Sequence, residues 1–209
     1  MWVLTEAVTG IHPEGGDTCD AGSDWGYRVA DPQRRKVLMW SREPWRDVEW
    51  LEPDAPAGRL VAATTDTGVG PLRVVGVCIP WRDAHVGSGR RDRRRWEDHL
   101  AFLDALGAFL ARQPRPLVVA GDFNQRLPRA RQPEPVYEAL LGALRDCTIA
   151  TADAEPDLLD HIAHTSELTA SCPEIWPGVA PDGRVLSDHG GAGVMLERVR
   201  VPPQDRPLR

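Results

Sequence analysis

The 209-residue chain lacks most of the features that announce a specialised class of protein. Its four cysteines, Cys19, Cys78, Cys147 and Cys172, stand far apart and form no Cys-x-x-Cys. That excludes a zinc ribbon and gives no disulfide scaffold, so reduced thiols and a cytoplasmic location are expected. No apolar run approaches the roughly 20 residues needed to span a bilayer, and no basic segment followed by an apolar run opens the sequence; neither a membrane span nor export is expected. A basic excess is missing too, since 25 Lys and Arg against 31 Asp and Glu leave a net charge of -6. Bulk attraction to nucleic acid is thereby disfavoured, while a local basic patch is not. There is no internal repeat and no low-complexity segment. The Pro/Gly-rich stretches at 53–58, 126–135 and 173–183 read as surface loops rather than linkers, because the strand signals on either side of each belong to one set of motifs. One domain over residues 1–209 is the expectation.

What is present centres on Leu117-Val118-Val119-Ala120-Gly121-Asp122-Phe123-Asn124. Aliphatic residues run without alternation into a glycine, the pattern of a short strand buried on both faces. Gly121 permits a tight exit. Asp122 and Asn124, two apart, are then placed on the same side at the rim of a sheet, a pair that suits a hard cation, an oriented water or a phosphoryl oxygen. A second polar constellation, Ser187-Asp188-His189-Gly190-Gly191, adjoins the short strand Ala192 to Leu196. A carboxylate beside an imidazole at a strand end is a compact acid/base or metal-ligand set. Between the two lies the strand-like run Leu158-Leu159-Asp160-His161-Ile162-Ala163, with a carboxylate in its middle.

Further strands are expected at Trp2 to Glu6, Val37 to Arg42, Arg59 to Thr65 and Leu72 to Pro80, where proline ends the ladder. Residues 10–25 show no periodicity and read as a loop near the functional face. Leu100, Leu103, Leu106 and Leu110, with Phe102 and Phe109, predict an amphipathic helix over Trp96 to Arg112, and Val136, Leu140, Leu141 and Leu144 a second over Val136 to Cys147. Arginines cluster at 90–95 and again at Arg126, Arg129 and Arg131. His161 and His164 are expected to be structural.

Gly-Asp-Phe-Asn at 121–124, an aspartate inside an apolar strand at Asp160 and Ser-Asp-His at 187–189, in that order, resemble the endonuclease/exonuclease/phosphatase superfamily, the DNase I-like metal-dependent phosphoesterases. The resemblance reaches from Glu6 to His189. It implies an α/β (α+β) fold, a four-layer α/β/β/α sandwich of two mixed, mostly antiparallel sheets, here lacking the usual first strand and the asparagine that strand delivers. It also implies divalent-metal-dependent hydrolysis of a phosphoester, with Glu6 and Asp188 holding Mg²⁺ or Mn²⁺ and Asp122 and Asn124 orienting water and phosphate. His189 and Asp160 are the implied acid/base or charge-stabilising pair. Thr5 stands where the family usually has glutamine. Cys78 stands where nucleases of the family often have tyrosine, so Arg82, His85 and Arg126 are the substrate-binding candidates. The alternative is a degenerate member that binds a phosphorylated ligand or a protein partner without turnover. A phosphoester substrate is expected, nucleic acid being reached through the local arginine clusters, and the strand at 193–199 is expected to leave an exposed sheet edge open to self-association.

Overall fold

A computed structural model describes residues 1–28, 31–51 and 56–199. The strands are β1 (Trp2–Val8), β2 (Asp17–Asp20), β3 (Arg34–Ser41), β4 (Arg46–Trp50), β5 (Leu60–Thr67), β6 (Gly70–Cys78), β7 (Leu117–Asp122), β8 (Cys147–Ile149), β9 (Asp160–Thr165), β10 (Leu168–Trp176) and β11 (Gly191–Arg198). The helices are α1 (Glu97–Leu110) and α2 (Glu134–Ala143).

Six strands form the central sheet in the order β4-β5-β6-β7-β9-β8. Only β6 and β7 run parallel. A parallel neighbour requires a long crossover, and α1 supplies it. Phe102, Leu103, Leu106 and Phe109 of α1 and Leu140 and Ala143 of α2 close one face of the sheet, against Leu60, Ala62, Val75, Val77 and Val119. On the opposite face Val61, Ala63, Leu72, Val74, Val118 and Ala120 pack against Val37 and Met39 of β3. β7 is therefore covered on both sides, which is why its sequence shows no alternation.

The second layer comes in two pieces, an antiparallel three-stranded sheet β1-β3-β2 and an antiparallel pair β10-β11. The mixed α/β architecture with several sheets is the expected one. The expected single second sheet is divided because, among the described residues, no strand pairs with the outer edge of β1 or with the free edge of β11. The exposed edge anticipated at 193–199 is that free edge. Among the described residues no helix covers the outside of this layer, since its connections carry no helical apolar stripe. The layers there are α/β/β.

Four strands escape sequence reading. β2 is Asp-Thr-Cys-Asp inside a presumed loop and owes its form to pairing with β3. β4 and β8 are short strands at the two ends of the central sheet. β10 contains Pro173, and its register with β11 shifts between Ser171 and Glu174, as expected where a proline cannot donate to the ladder. The second helix ends at Ala143 rather than Cys147, where β8 begins. Part of the loop at 53–58 lies outside the described residues.

Candidate active site

The site grows from one row of the central sheet. Asp122, last residue of β7, is in register with Cys78 at the end of β6 and with Asp160 at the start of β9. Cross-strand partners point to the same face, so the three side chains stand together at the mouth of the space between the layers. Two backbone bonds fix the mouth, Ile79 N–H donating to Asp122 O and Phe123 N–H to Leu159 O, both at 2.9 Å. Gly121 makes the exit possible: its φ is 131°, and a Cβ there would overlap the Val77 carbonyl oxygen. Asn124 turns back at φ 51° and grips Asp122 twice, its backbone N–H donating to Oδ1 at 2.8 Å and its Nδ2 to Oδ2 at 2.7 Å.

The loop leading into β11 closes the other side. His189 Nδ1 lies 2.5 Å from Asp160 Oδ2, while Thr5 Oγ1 donates to Asp160 Oδ1 at 3.4 Å. At this distance the imidazole and the carboxylate attract each other strongly when the ring is protonated. Asp160 raises the His189 pKa to about 9 against the opposing effect of partial burial, so the ring is an imidazolium at neutral pH. Asp122, only 4% exposed, is pushed up to about 7, first by burial and then by the Asp160 charge, with His189 and the Asn124 N–H opposing. Two neighbouring groups are thus held apart, a carboxyl that ionises near neutrality and an imidazole that keeps its proton.

The cleft at this mouth encloses about 470 Å³. Of the residues singled out in the sequence, Glu6, Asp122, Asn124, Asp188 and His189 line it, and Asp160 stands behind His189. Arg82, His85 and Arg126 do not line it. Arg82 pairs with Asp83 at 3.0 Å and Arg126 with Asp157 at 2.8 Å. His85 is buried, with Nδ1 2.5 Å from Asp98 and its ring stacked on Tyr27. The arginine cluster is likewise taken up locally, Arg93 by Asp98 and Arg95 by Asp83, both at 2.7 Å. Carboxylates outside the cleft hold these cations, some close in sequence, as Asp83 is to Arg82, and some distant, as Asp157 is from Arg126. His161 is a buried structural group bonded to Thr151 Oγ1 and Gln125 O, and His164 is buried beside the Thr165 carbonyl.

Sequence reading missed the lining residues Trp25, Tyr27, Arg34, Lys36, Arg59 and Trp81. Lys36 stands in β3 just before its apolar run, and Arg59 immediately precedes β5. Their place at the sheet mouth is the signal that, with the register known, marks them. Lys36 faces Glu6 across β1 and β3 and pairs with its carboxylate, which Arg34 also approaches at 3.6 Å.

The family model described as the Endonuclease/Exonuclease/phosphatase family matches residues 5–189. The chain belongs to the endonuclease/exonuclease/phosphatase family. Solved structures share its DNase I-like fold at low identity. An AP endonuclease from Archaeoglobus fulgidus is 17% identical with a TM-score of 0.60, over 90% of this chain and 84% of that one. A humanized D. rerio TDP2 is 12% identical with a TM-score of 0.61, over 88% and 77%. An endonuclease/exonuclease/phosphatase from Beutenbergia cavernae DSM 12333 is 16% identical with a TM-score of 0.57; it aligns over 94% of this chain, which spans only 62% of that protein. Comparison with curated proteins found no match.

The family implies a divalent ion, and the oxygen donors at the cleft are of the type that Mg²⁺ or Mn²⁺ takes. They are not gathered for it. Among the described residues no three His, Cys, Asp or Glu side chains converge on one point. Glu6 is held by Lys36 and Arg34, Asp160 by His189 and Thr5, and Asp122 by Asn124. The Asp188 side chain is 93% exposed. In this arrangement the residues do not fit a resident ion.

Proposed function

We propose that this member of the family hydrolyses phosphoesters in the cleft at the sheet mouth, with Asp122 and the His189–Asp160 pair as its acid/base groups. The observation that carries this reading is the tuning of two adjacent groups to neutrality and above: burial and the Asp160 charge raise Asp122 to about 7, and Asp160 raises His189 to about 9. A base works best with a pKa near the working pH, and an acid must keep its proton there. Asp122, oriented by Asn124, takes a proton from the attacking water as the new P–O bond forms. The bond from phosphorus to the leaving oxygen breaks, and His189 passes its Nε2 proton to that oxygen. Asp160 holds the imidazolium at Nδ1, and regeneration needs only the return of each proton through solvent.

Cleft cations and the half-exposed ring of Trp81 support an anionic substrate with a flat group attached. The test is hydrolysis of a panel of phosphomonoesters and phosphodiesters by the wild type and by His189→Ala, Asp160→Ala and the double variant. Expected are losses of about 100-fold or more for each single change, with the double variant losing little more, since residues acting as a unit are not additive. A wild type inactive on the whole panel, or additive losses, would remove this reading.

A further inference from the structure

Two arginines are almost wholly buried among the described residues, and their surroundings differ. Arg73, 2% exposed, is fully engaged: Nε donates to Gln113 at 2.8 Å, Nη2 to Glu49 at 2.8 Å and Nη1 to the Asp47 carbonyl. Arg59, 3% exposed, makes one side-chain bond among the described residues, from Nη1 to the Cys78 carbonyl at a long 3.3 Å, and no described carboxylate lies within 4.0 Å of its guanidinium. A guanidinium has five N–H donors, and a buried charge without a partner costs several kcal/mol. Burial of this kind persists where something outside the fold completes it, and Arg59 lines the cleft.

Its position says what that something is. Arg59 precedes β5 and continues its register: Leu60 faces Val77, and Cys78 N–H donates to Arg59 O at 2.9 Å. Arg59, Cys78, Asp122 and Asp160 therefore form one row across four adjacent strands. With strands about 4.8 Å apart, Arg59 and Asp122 stand roughly 10 Å apart, with only the small Cys78 side chain between them. That thiol is kept neutral, since burial and the nearby Asp122 push its pKa up, so it offers an anion no repulsion. We propose that Arg59 is a substrate-binding residue, a bidentate ligand to the non-bridging oxygens of a phosphoryl group seated over Cys78 between the guanidinium and Asp122. A planar fork of donors matches two such oxygens better than a lysine would. This rests on the phosphoester reading of the same cleft and adds the group that holds the phosphate.

Inorganic phosphate is the probe, measured by calorimetric titration and by thermal melts on the wild type, Arg59→Met and Arg59→Lys. Charged hydrogen bonds of this kind correspond to about a 10- to 100-fold change in affinity. Phosphate should bind about that much more weakly to Arg59→Met, with Arg59→Lys in between, and the phosphate-dependent rise in melting temperature should vanish in Arg59→Met. Without phosphate, Arg59→Met should melt no lower than the wild type, because it removes a buried charge that has no carboxylate partner among the described residues. A guanidinium that merely props the Cys78 carbonyl would show the reverse, a lower melting temperature with phosphate binding intact. Equal phosphate affinity in wild type and Arg59→Lys, or no phosphate binding by the wild type, overturns the proposal even if Arg59→Met does not fold. Turnover is scored separately: phosphate binding through Arg59 without hydrolysis would defeat the catalytic reading alone, and hydrolysis with Arg59-independent phosphate binding would defeat this one alone.

Discussion

Replacing Asp160 with asparagine keeps the shape at the back of His189 and removes the charge that protonates it. The Asp160 carboxylate is the largest contributor holding His189 at about 9 rather than 6.5, while burial works the other way. Without it the imidazole should titrate well below 9, with burial lowering it and the Asp122 and Asp188 charges still raising it. At pH 8 the protonated fraction would then fall from about 0.9 to about 0.03, roughly 30-fold, if the two pKa values are about 9 and 6.5. A reaction that needs the imidazolium loses the same factor at that pH, and its alkaline limb moves down by about 2 units or more. The assay is the pH dependence of kcat on a chromogenic phosphodiester, paired with an NMR titration of the His189 ring in both proteins. Linkage gives an independent check with its own sign. Because the folded pKa of His189 is raised, its stabilising contribution is full below about 6.5 and is lost as pH rises through about 9. The wild type should lose stability over that window relative to Asp160→Asn. An alkaline limb and a His189 titration unchanged by the substitution would refute the pairing as the source of the imidazolium.

Other outcomes follow from particular contacts. Gly121→Ala places a Cβ in overlap with the Val77 carbonyl oxygen, 3.1 and 3.2 Å from that residue's C and N, at φ 131°; strain plus broken β6–β7 pairing should cost about 3 kcal/mol or more in urea unfolding, and a loss under about 1 kcal/mol would mean that the backbone yields. His85 braces the cleft wall, its N–H donating to Tyr27 Oη at 2.9 Å and its ring nitrogens lying close to Asp98 and Gly26 O, so His85→Ala should raise KM about 10-fold with kcat little changed; a selective fall in kcat would instead give His85 a direct role. For a divalent ion we propose competition: Mg²⁺ contends with Lys36 and Arg34 for the half-exposed Glu6 carboxylate, so Lys36→Gln should show a larger Mg²⁺-dependent rise in melting temperature than any the wild type shows. An increment no larger than that of the wild type would remove Glu6 from any ion site.

The parts of this protein legible in sequence are those whose signal is local. β7 announced itself because a strand covered by α1 on one face and β3 on the other must be apolar throughout. Its Gly121 marked the sharp exit, and the polar residues after such an exit can only sit at the rim. α1 was readable from its stripe for the same reason. Short or peripheral strands such as β2, β4 and β8 were not, since pairing with a neighbour rather than their own composition makes them strands. The site divides in the same way. Asp122, Asn124, Asp188 and His189, which line the cleft, stand in motifs at strand ends that a local reading singles out. Whether a cation faces the cleft depends on what stands beside it in three dimensions. Arg82, His85 and Arg126 found Asp83, Asp98 and Asp157 close by and turned away. Lys36 met Glu6 only because the β1–β3 register sets them opposite across 30 residues of chain. Arg59 came into the row of Cys78, Asp122 and Asp160 through three successive strand pairings. Register is a property of the assembled sheet, settled by packing of the whole apolar face, and no short stretch of sequence carries it.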